Sequence, residues 1–339
     1  MSKKTDTAAK AQGQIFVGCD DGNAATDLVI MDPGQAPRTF VMPSRARSGI
    51  QGTTVIGGDA TEGSVIPCYD TAGVQFTVGD LADAESARFD DYPTSPMNRV
   101  IIHHALRTAG LGGKEVVIAT GLPLGWYYKG GEPNQVLIDR KKQSLEVAVR
   151  AMDDSDTAII VRHEVYPEGL AAWVDYAVDD KGNLRADPNE TVAIIDIGGR
   201  TTDSAVVLPG RRIDHARCGS ADIGVLDVVG DVAVALQARF GVDIPSAMVE
   251  KALRDRQIKV YGKMHDIGAE IDAAVGRGTD TVLREVSRRL GKSPDVDRFL
   301  LVGGGAYLFK DVAKSYPNVS IPAQPELANA RGFAKFLSL

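Results

Sequence analysis

Short apolar runs that end in aspartate or glycine alternate with amphipathic stretches along most of this chain. Residues 15–19 are apolar and lead into Asp20-Asp21-Gly22, and a second apolar run over residues 26–31 follows. Runs of four to eight apolar or β-branched residues bounded by turn residues are typical of β-strands. The pattern therefore predicts a β-hairpin with an acidic, glycine-containing turn near the start of the chain.

The rest of the first half predicts further strands and three helices. Strands are expected at residues 37–46, in a hairpin over 64–80, and at 115–120 and 158–167. Apolar residues spaced three and four positions apart predict helices over residues 98–109, 134–152 and 169–178. Strands that alternate with helices in this way indicate an α/β domain.

The same pattern restarts after a polar, turn-rich stretch at residues 178–190. A buried strand over 191–195 ends in Asp196-Ile197-Gly198-Gly199, and a returning strand is expected at 204–208. Helices are predicted over 222–240, 245–259 and 266–291, before a strand at 298–302 that enters Gly303-Gly304-Gly305. The last amphipathic stretch, residues 325–337, predicts a closing helix.

The two halves open alike, with an apolar strand, an aspartate, one intervening residue, a glycine and a returning strand. This similarity predicts two α/β domains of related design rather than an array of short repeats. We expect a disordered tail over 1–14, a first domain over 15–187 and a second over 191–324, with the helix at 325–339 packing back on the first domain.

Composition narrows the classes of protein that remain. The chain has 339 residues, of which 44% are hydrophobic and 24% charged, so it can bury a substantial core. The net charge of −7 argues against binding nucleic acid by charge alone. The three cysteines lack metal-ligand spacing and favour a reducing cytosol. Neither a P-loop nor a Gly-x-Gly-x-x-Gly motif occurs, and no apolar run is long enough to predict a membrane span.

Two acidic hairpin turns suit one chemistry when they face each other across a cleft. Glycine lets the backbone amides of a turn point at an anion, so two such turns can hold a chain of phosphates from both sides. A carboxylate at each turn would repel phosphate directly, but it can hold Mg²⁺ through water, and the metal then bridges the phosphate oxygens. The turns therefore predict a site for a metal-bound polyphosphate.

The order Asp-x-Gly, Asp-x-Gly-Gly-x-Thr-Thr, Gly-Gly-Gly resembles the actin-type ATPase superfamily, and within it the ParM/StbA-type plasmid-segregation actins. The strings that carry the resemblance span residues 15–337 and are Asp20-Asp21-Gly22, His103-His104-Ala105-Leu106 with Gly110-Leu111, Gly121-Leu122-Pro123-Leu124 with Tyr127-Tyr128, Asp139-Arg140-Lys141-Lys142, Pro167-Glu168, Ile195-Asp196-Ile197-Gly198-Gly199-Arg200-Thr201-Thr202-Asp203, Ile223-Gly224 and Gly303-Gly304-Gly305-Ala306.

The resemblance implies an actin-like fold in which two similar α/β domains enclose a nucleotide cleft. It implies binding and hydrolysis of ATP, or of GTP, with Mg²⁺. It also implies dynamic polar filaments of the chain that segregate plasmids in the bacterial cytosol, linked to plasmid DNA through a DNA-bound adaptor protein. Direct contact with nucleic acid and a membrane partner are not expected.

The resemblance also implies roles for single residues. Glu168 and Asp196 match catalytic positions, Glu168 as the residue that orients the attacking water. Asp20, Asp21 and Asp196 match the magnesium site, with the metal held through water. The residues matched to nucleotide binding are Asp20, Asp21, Gly22, Asn23, Gly198, Gly199, Arg200, Thr201, Thr202, Gly303, Gly304, Gly305 and Ala306.

One position departs from the family pattern. Many members carry a lysine seven positions after the first aspartate, where it contacts phosphate, and this chain has Asp27 there. A carboxylate would repel phosphate, so either Asp27 points away from the site or another cation, such as Arg200 or Arg45, takes the place of the lysine.

The sequence leaves two alternative functions open, and it leaves the roles of two surface segments undecided. A small-molecule kinase of the same fold and a nucleotide-binding scaffold with little hydrolysis are the alternatives. The glycine-rich loop over 47–63 is a candidate filament contact or an ordinary surface loop. The basic positions Arg284, Arg288, Arg289 and Lys292 fit a solvated helix face better than an adaptor site.

Overall fold

The computed structural model describes residues 13–51, 66–79, 81 and 83–339 of the chain. Its strands in the first half are β1 (Ile15–Asp21), β2 (Ala25–Met31), β3 (Arg38–Pro43), β4 (Ala46–Ser48), β5 (Cys68–Thr71), β6 (Val74–Val78), β7 (Glu115–Leu122), β8 (Tyr128–Lys129), β9 (Glu132–Pro133), β10 (Arg150–Ala151) and β11 (Ile159–Pro167). The strands that follow are β12 (Val192–Ile197), β13 (Thr202–Leu208), β14 (Arg212–Ile213), β15 (Gly219–Ala221), β16 (Gln257–Val260), β17 (Lys263–Asp266), β18 (Arg298–Val302) and β19 (Val319–Ser320).

The α-helices among the described residues are α1 (Pro96–Leu106), α2 (Leu124–Tyr127), α3 (Gln135–Glu146), α4 (Leu170–Ala177), α5 (Val225–Phe240), α6 (Ser246–Asp255), α7 (Gly268–Leu290) and α8 (Ala328–Ser338). A π-helical turn over Arg107–Leu111 continues α1, and Gly110 ends it with a φ of 79°. Glycine tolerates this left-handed conformation because it has no Cβ atom.

The first domain is built on a five-stranded sheet in the order β11-β7-β1-β2-β3. β1 pairs antiparallel with β2 and parallel with β7, and β7 pairs parallel with β11. A second sheet, in the order β10-β5-β6-β4, lies beside it, and α1 contacts strands of both sheets. Apolar side chains from both sheets and α1, such as Val17, Leu28, Tyr69 and Ile101, form one buried core.

The second domain repeats the opening hairpin on its own sheet, in the order β14-β13-β12-β18-β19, with β15 on β13. β12 pairs antiparallel with β13 and parallel with β18, as β1 pairs with β2 and β7. α5, α6 and α7 pack beside this sheet around a core that includes Ile195, Val232 and Phe299. In each domain a hairpin turn follows a central strand and faces the other domain.

The C-terminal helix α8 packs on β1, β7 and β2 and on α4. Its close approach depends on glycine, because a Cβ atom on Gly18 would collide with the Ala330 carbonyl, and one on Gly332 with the Ala171 carbonyl. Two ion pairs anchor the helix, since both Arg331 and Lys335 bind Asp175, over 2.7 and 2.8 Å.

Most predicted elements are confirmed, and two helices are wrong at their C-terminal ends. The helix expected over 134–152 ends at Glu146, because Arg150–Ala151 instead pairs with β5. The helix expected over 245–259 ends at Asp255, and the next residues form the hairpin of β16 and β17. Periodicity alone does not show where a helix gives way to an edge strand.

Two predictions concern segments that lie largely outside the described residues. Residues 1–12 of the expected tail and 52–63 of the glycine-rich loop lie outside the described residues.

The expected domain boundary near residues 187–191 stays a prediction. The segment is polar and irregular, with one isolated bridge between Val178 and Leu184.

Candidate functional site

A cleft of about 580 Å³ lies between the two domains. The ends of strands in both sheets and the loops that follow them line it. They contribute Asp20, Asp21, Gly22, Asn23, Glu168, Asp196, Gly198, Gly199, Arg200, Thr201, Gly303 and Gly304 of the predicted site residues. The carboxyl ends of parallel strands are the usual place for ligands in open α/β sheets.

The two hairpin turns touch each other at the floor of this cleft. A Cβ atom on Gly199, in the second turn, would lie 2.6 Å from the Ala24 Cβ atom in the first. Real side chains do not approach so closely, so the contact requires glycine at position 199. The contact brings the backbones of both turns to one place, as binding a single anion from two sides requires.

Asp20 and Asp196 lie close enough together for the side chain of Asn329 to bond to both. The Asn329 amide nitrogen donates to Asp196 Oδ2 over 2.7 Å and to Asp20 Oδ2 over 3.3 Å. Burial and the charge of Asp196 raise the pKa of Asp20 to about 7, and burial raises the pKa of Asp196 to about 6. Two carboxylates this close favour a cation between or beside them.

Glu168 follows β11 and enters the same cluster. Its backbone nitrogen donates to the Leu122 carbonyl, which ties the segment to the end of β7. Burial and then the charges of Asp20, Asp203 and Asp196 raise the pKa of Glu168 well above its usual value. A carboxylate that is held in a cleft and easily protonated suits a role in proton transfer or in orienting water.

Asp21 has different hydrogen-bond partners from Asp20. Lys141 Nζ lies 2.8 Å from Asp21 Oδ2 and 3.0 Å from Oδ1, and the Asn98 amide donates to Oδ2 over 2.8 Å. Both oxygens of Asp21 therefore already accept hydrogen bonds from within the protein. Lys141 also lines the cleft and was not among the predicted site residues. The sequence feature that pointed to Lys141 was the basic run at residues 140–142 on a predicted helix. Basic runs of this kind more often form a solvated helix face.

Asp27 is among the residues that line the cleft, so of the two alternatives left open by the sequence the structure does not favour an Asp27 that points away from the site. Its side chain is 6% exposed, and its Oδ1 atom accepts no hydrogen bond within the described residues. Burial and the charges of Asp20 and Glu326 raise its pKa well above the usual value. A buried carboxyl of this kind is most stable when protonated.

The two arginines considered as replacements for the family lysine each form ion pairs with carboxylates of this chain. Arg45 binds Glu250 over 2.8 Å, which links the first domain to α6 of the second. Arg200 binds Asp90 over 2.6 Å and Asp222 over 3.0 Å, and its guanidinium lies over the Trp126 ring. Arg200 nevertheless lines the cleft, as do Lys141 and Arg254.

Three predicted nucleotide-binding residues do not line the cleft. Thr202 donates to the Ile223 carbonyl over 2.8 Å, inside the second domain. The Gly305 nitrogen donates to the Ile197 carbonyl over 2.8 Å, and Ala306 is completely buried in the core. The hydrogen bonds of Thr202 and Gly305 and the burial of Ala306 lie inside the second domain rather than in the cleft.

The donors present fit Mg²⁺ held through water better than a directly bound metal. Across residues 13–51, 66–79, 81 and 83–339, no group of three or more His, Cys, Asp or Glu side chains is arranged to bind a metal ion directly. Asp20 and Asp196 are hard oxygen donors with raised pKa values, and a cation beside them would favour their ionised forms.

Two family models match the sequence. Residues 15–179 match the N-terminal part of plasmid segregation protein ParM, and residues 194–314 match the C-terminal part of archaeal MreB-like actin homologues. A search of curated protein sequences gives no match.

Solved structures of actin homologues superpose on almost the whole chain. The archaeal actin homolog Ta0583 is 20% identical, with a TM-score of 0.74 over 96% of this chain and 99% of that one. Its complex with ADP matches equally well, with 20% identity, a TM-score of 0.74 and 95% and 99% coverage. A ParM subunit of a 15-stranded filament from Clostridium botulinum is 18% identical, with a TM-score of 0.73 and 96% and 99% coverage.

These likenesses agree with the paired hairpins, the interdomain cleft and the returning C-terminal helix. The predicted fold class is confirmed. The chain has an actin-like fold, its first half is similar to the N-terminal part of plasmid segregation protein ParM, and its second half is similar to the C-terminal part of archaeal MreB-like actin homologues.

Proposed function

We propose that this chain binds and hydrolyses ATP, or GTP, with Mg²⁺ in the interdomain cleft, and that it assembles into dynamic filaments that segregate plasmids. The observation that carries the proposal is the meeting of Asp20 and Asp196, one from each domain, beside two glycine turns. This arrangement is suited to a polyphosphate with its metal, since the turns supply amides and the aspartates supply charge.

Each part of the cleft then has a task. The backbone amides near Gly22, Gly198 and Gly199 bind the phosphates. Asp20 and Asp196 hold Mg²⁺ through its water ligands, and the ion, when bound, neutralises phosphate charge. Asp21 keeps Lys141 in place rather than binding the metal. Gly303 and Gly304 lie beside the nucleoside. Glu168 orients the attacking water and accepts its proton.

Structures of relatives support nucleotide binding and assembly. Ta0583 has been solved with ADP, and Bacillus thuringiensis ParM has been solved with AMPPNP. The Clostridium botulinum ParM was solved as a filament. By analogy, we propose that nucleotide binding closes the two domains of this chain and favours assembly, and that hydrolysis favours disassembly.

We propose that the filament acts in the bacterial cytosol and contacts plasmid DNA only through an adaptor protein. No helix within the described part of the chain is both long and apolar enough to cross a membrane. The basic positions near the end of α7 have local partners, since Arg288 binds Glu285 and Arg289 donates to the carbonyls of Cys218 and Ser220.

The decisive experiment follows phosphate release and light scattering together after ATP or GTP is added with Mg²⁺. We expect scattering to rise first and then fall as phosphate is released, with filaments visible by electron microscopy. Scattering without phosphate release would support the scaffold alternative. Turnover that requires a small-molecule acceptor would support the kinase alternative.

A further inference from the structure

Asn329 is the residue on which three parts of the candidate site converge. It lies in the first turn of α8, lines the cleft and is 4% exposed. Its amide nitrogen donates to Asp196 and Asp20, and its Oδ1 atom accepts from the Gly169 nitrogen over 2.9 Å. One side chain therefore binds both aspartates and the residue after Glu168.

The backbone that carries Asn329 is held firmly. α8 lies against β1 without intervening side chains at Gly18, and against α4 at Gly332. The ion pairs of Arg331 and Lys335 with Asp175 fasten it further. Because interiors packed this closely resist deformation, we expect α8, β1 and α4 to move as one unit, although Leu170 and Ala172 of α4 also pack on the sheet of the second domain.

Only one of the three hydrogen bonds of Asn329 leaves this unit. Asp20 lies near the end of β1 and Gly169 immediately precedes α4, so both belong to the same packed unit as α8. Asp196 ends β12, in the sheet of the second domain. An opening of the two domains must therefore lengthen the 2.7 Å bond from Asn329 to Asp196 and can leave the other two bonds intact.

We propose that Asn329 is a positioning residue that sets the separation of Asp20 and Asp196 in the closed state and couples it to the segment carrying Glu168. The inference rests on the proposed nucleotide function for its consequences, but the positioning itself is a property of the free protein. An amide suits the task because its nitrogen can donate two hydrogen bonds while its oxygen accepts another, whereas an ionised carboxylate has no donor.

The first test uses the protein without nucleotide. Amide hydrogen exchange at Gly169 is compared in wild type, Asn329→Ala and Asn329→Asp, with the exposed Asn189→Ala as a matched control. We expect exchange about ten-fold faster in Asn329→Ala, because the Asn329 acceptor is lost and the Gly169 nitrogen keeps only its contact with Asp196. Asn329→Asp retains an acceptor for the Gly169 nitrogen and should stay closer to wild type.

The second test measures binding of a fluorescent ADP analogue with Mg²⁺ and with EDTA. We expect both Asn329 variants to lose about ten-fold of the affinity that Mg²⁺ adds, with a change below about three-fold in EDTA. A merely structural role would lower the melting temperature and weaken binding equally in both conditions, and this result would overturn the inference.

The two proposals fail in different ways. A wild-type protein that binds no nucleotide in Mg²⁺ would reject the proposed function, and the Gly169 exchange would still decide the role of Asn329. Wild-type exchange at Gly169 in Asn329→Ala would reject the positioning role, whatever the nucleotide affinity.

Discussion

Lys141 Nζ lies 2.8 Å from Asp21 Oδ2, and the two side chains are only 3% and 2% exposed. Removal of one partner from such a pair leaves an uncompensated buried charge, which is costly. Asp20 is the adjacent residue, so this pair also fixes the end of β1 where the candidate metal site begins.

We expect Lys141→Met to destabilise the chain by about 3–5 kcal/mol and to weaken nucleotide binding, because Asp21 would be left buried without its counter-ion. The neighbouring Lys142→Met is the matched control, since its ion pair with Glu164 is one-third exposed on each side. That control should cost about 1 kcal/mol or less. Urea unfolding measures both, and equal losses would contradict the assignment.

We expect Glu168→Ala to retain nucleotide binding and to lose turnover by about 10²–10⁴-fold, because the water would no longer be oriented or deprotonated. The control is Glu146→Ala, at the exposed end of α3. Binding is followed by fluorescence and turnover by phosphate release. Turnover that survives unchanged would show that another group orients and deprotonates the water.

We expect Asp196→Ala to lose the nucleotide affinity that depends on Mg²⁺, because one of the two carboxylates beside Asn329 would be missing. Titration with a fluorescent nucleotide, with Mg²⁺ and with EDTA, measures this difference. Asp280→Ala, on the exposed side of α7, serves as the control. An affinity equal to wild type would remove Asp196 from the site.

Asp27→Asn should stabilise the nucleotide-free chain, and more so at pH 8 than at pH 5. The pKa of Asp27 is raised in the folded state by burial, so its stabilising contribution is present at low pH and is lost as the pH rises and the carboxyl ionises. Asparagine does not ionise and avoids this loss. We also expect about ten-fold tighter nucleotide binding at a pH at which Asp27 ionises, because asparagine brings no negative charge into the cleft there.

Thermal unfolding at both pH values and fluorescent-nucleotide titration check the Asp27 prediction. Asp280→Asn is the control and should show no such pH-dependent gain. A difference in melting temperature between Asp27→Asn and wild type that is the same at pH 5 and pH 8 would mean that Asp27 does not titrate as its burial implies.

Glu250→Ala should open the cleft, because the bond from Arg45 to Glu250 joins the two domains beside it. We expect a larger radius of gyration by small-angle X-ray scattering in the absence of nucleotide. Glu270→Ala is the matched control, since it removes a pair with Arg239 that lies within the second domain. No difference between the two variants would show that other contacts keep the domains closed.

Much of the fold could be predicted from local pattern. The strands before Asp20 and Asp196 are short apolar runs that end in turn residues, and this signal is strong in any single sequence. The ends of α3 and α6 could not be predicted, because β10 and β16 form by pairing with strands that periodicity does not identify. Edge pairing depends on distant segments of chain.

The sequence by itself determined the two acidic, glycine-containing turns and the alternation of strands and helices, because turn chemistry and hydrophobic period act over a few neighbouring residues. Only the tertiary structure decided that Lys141 neutralises Asp21, that Asp27 faces the cleft and that Asn329 joins the two aspartates. These roles depend on which distant segments meet at the cleft, where low solvent exposure makes each unpaired charge costly.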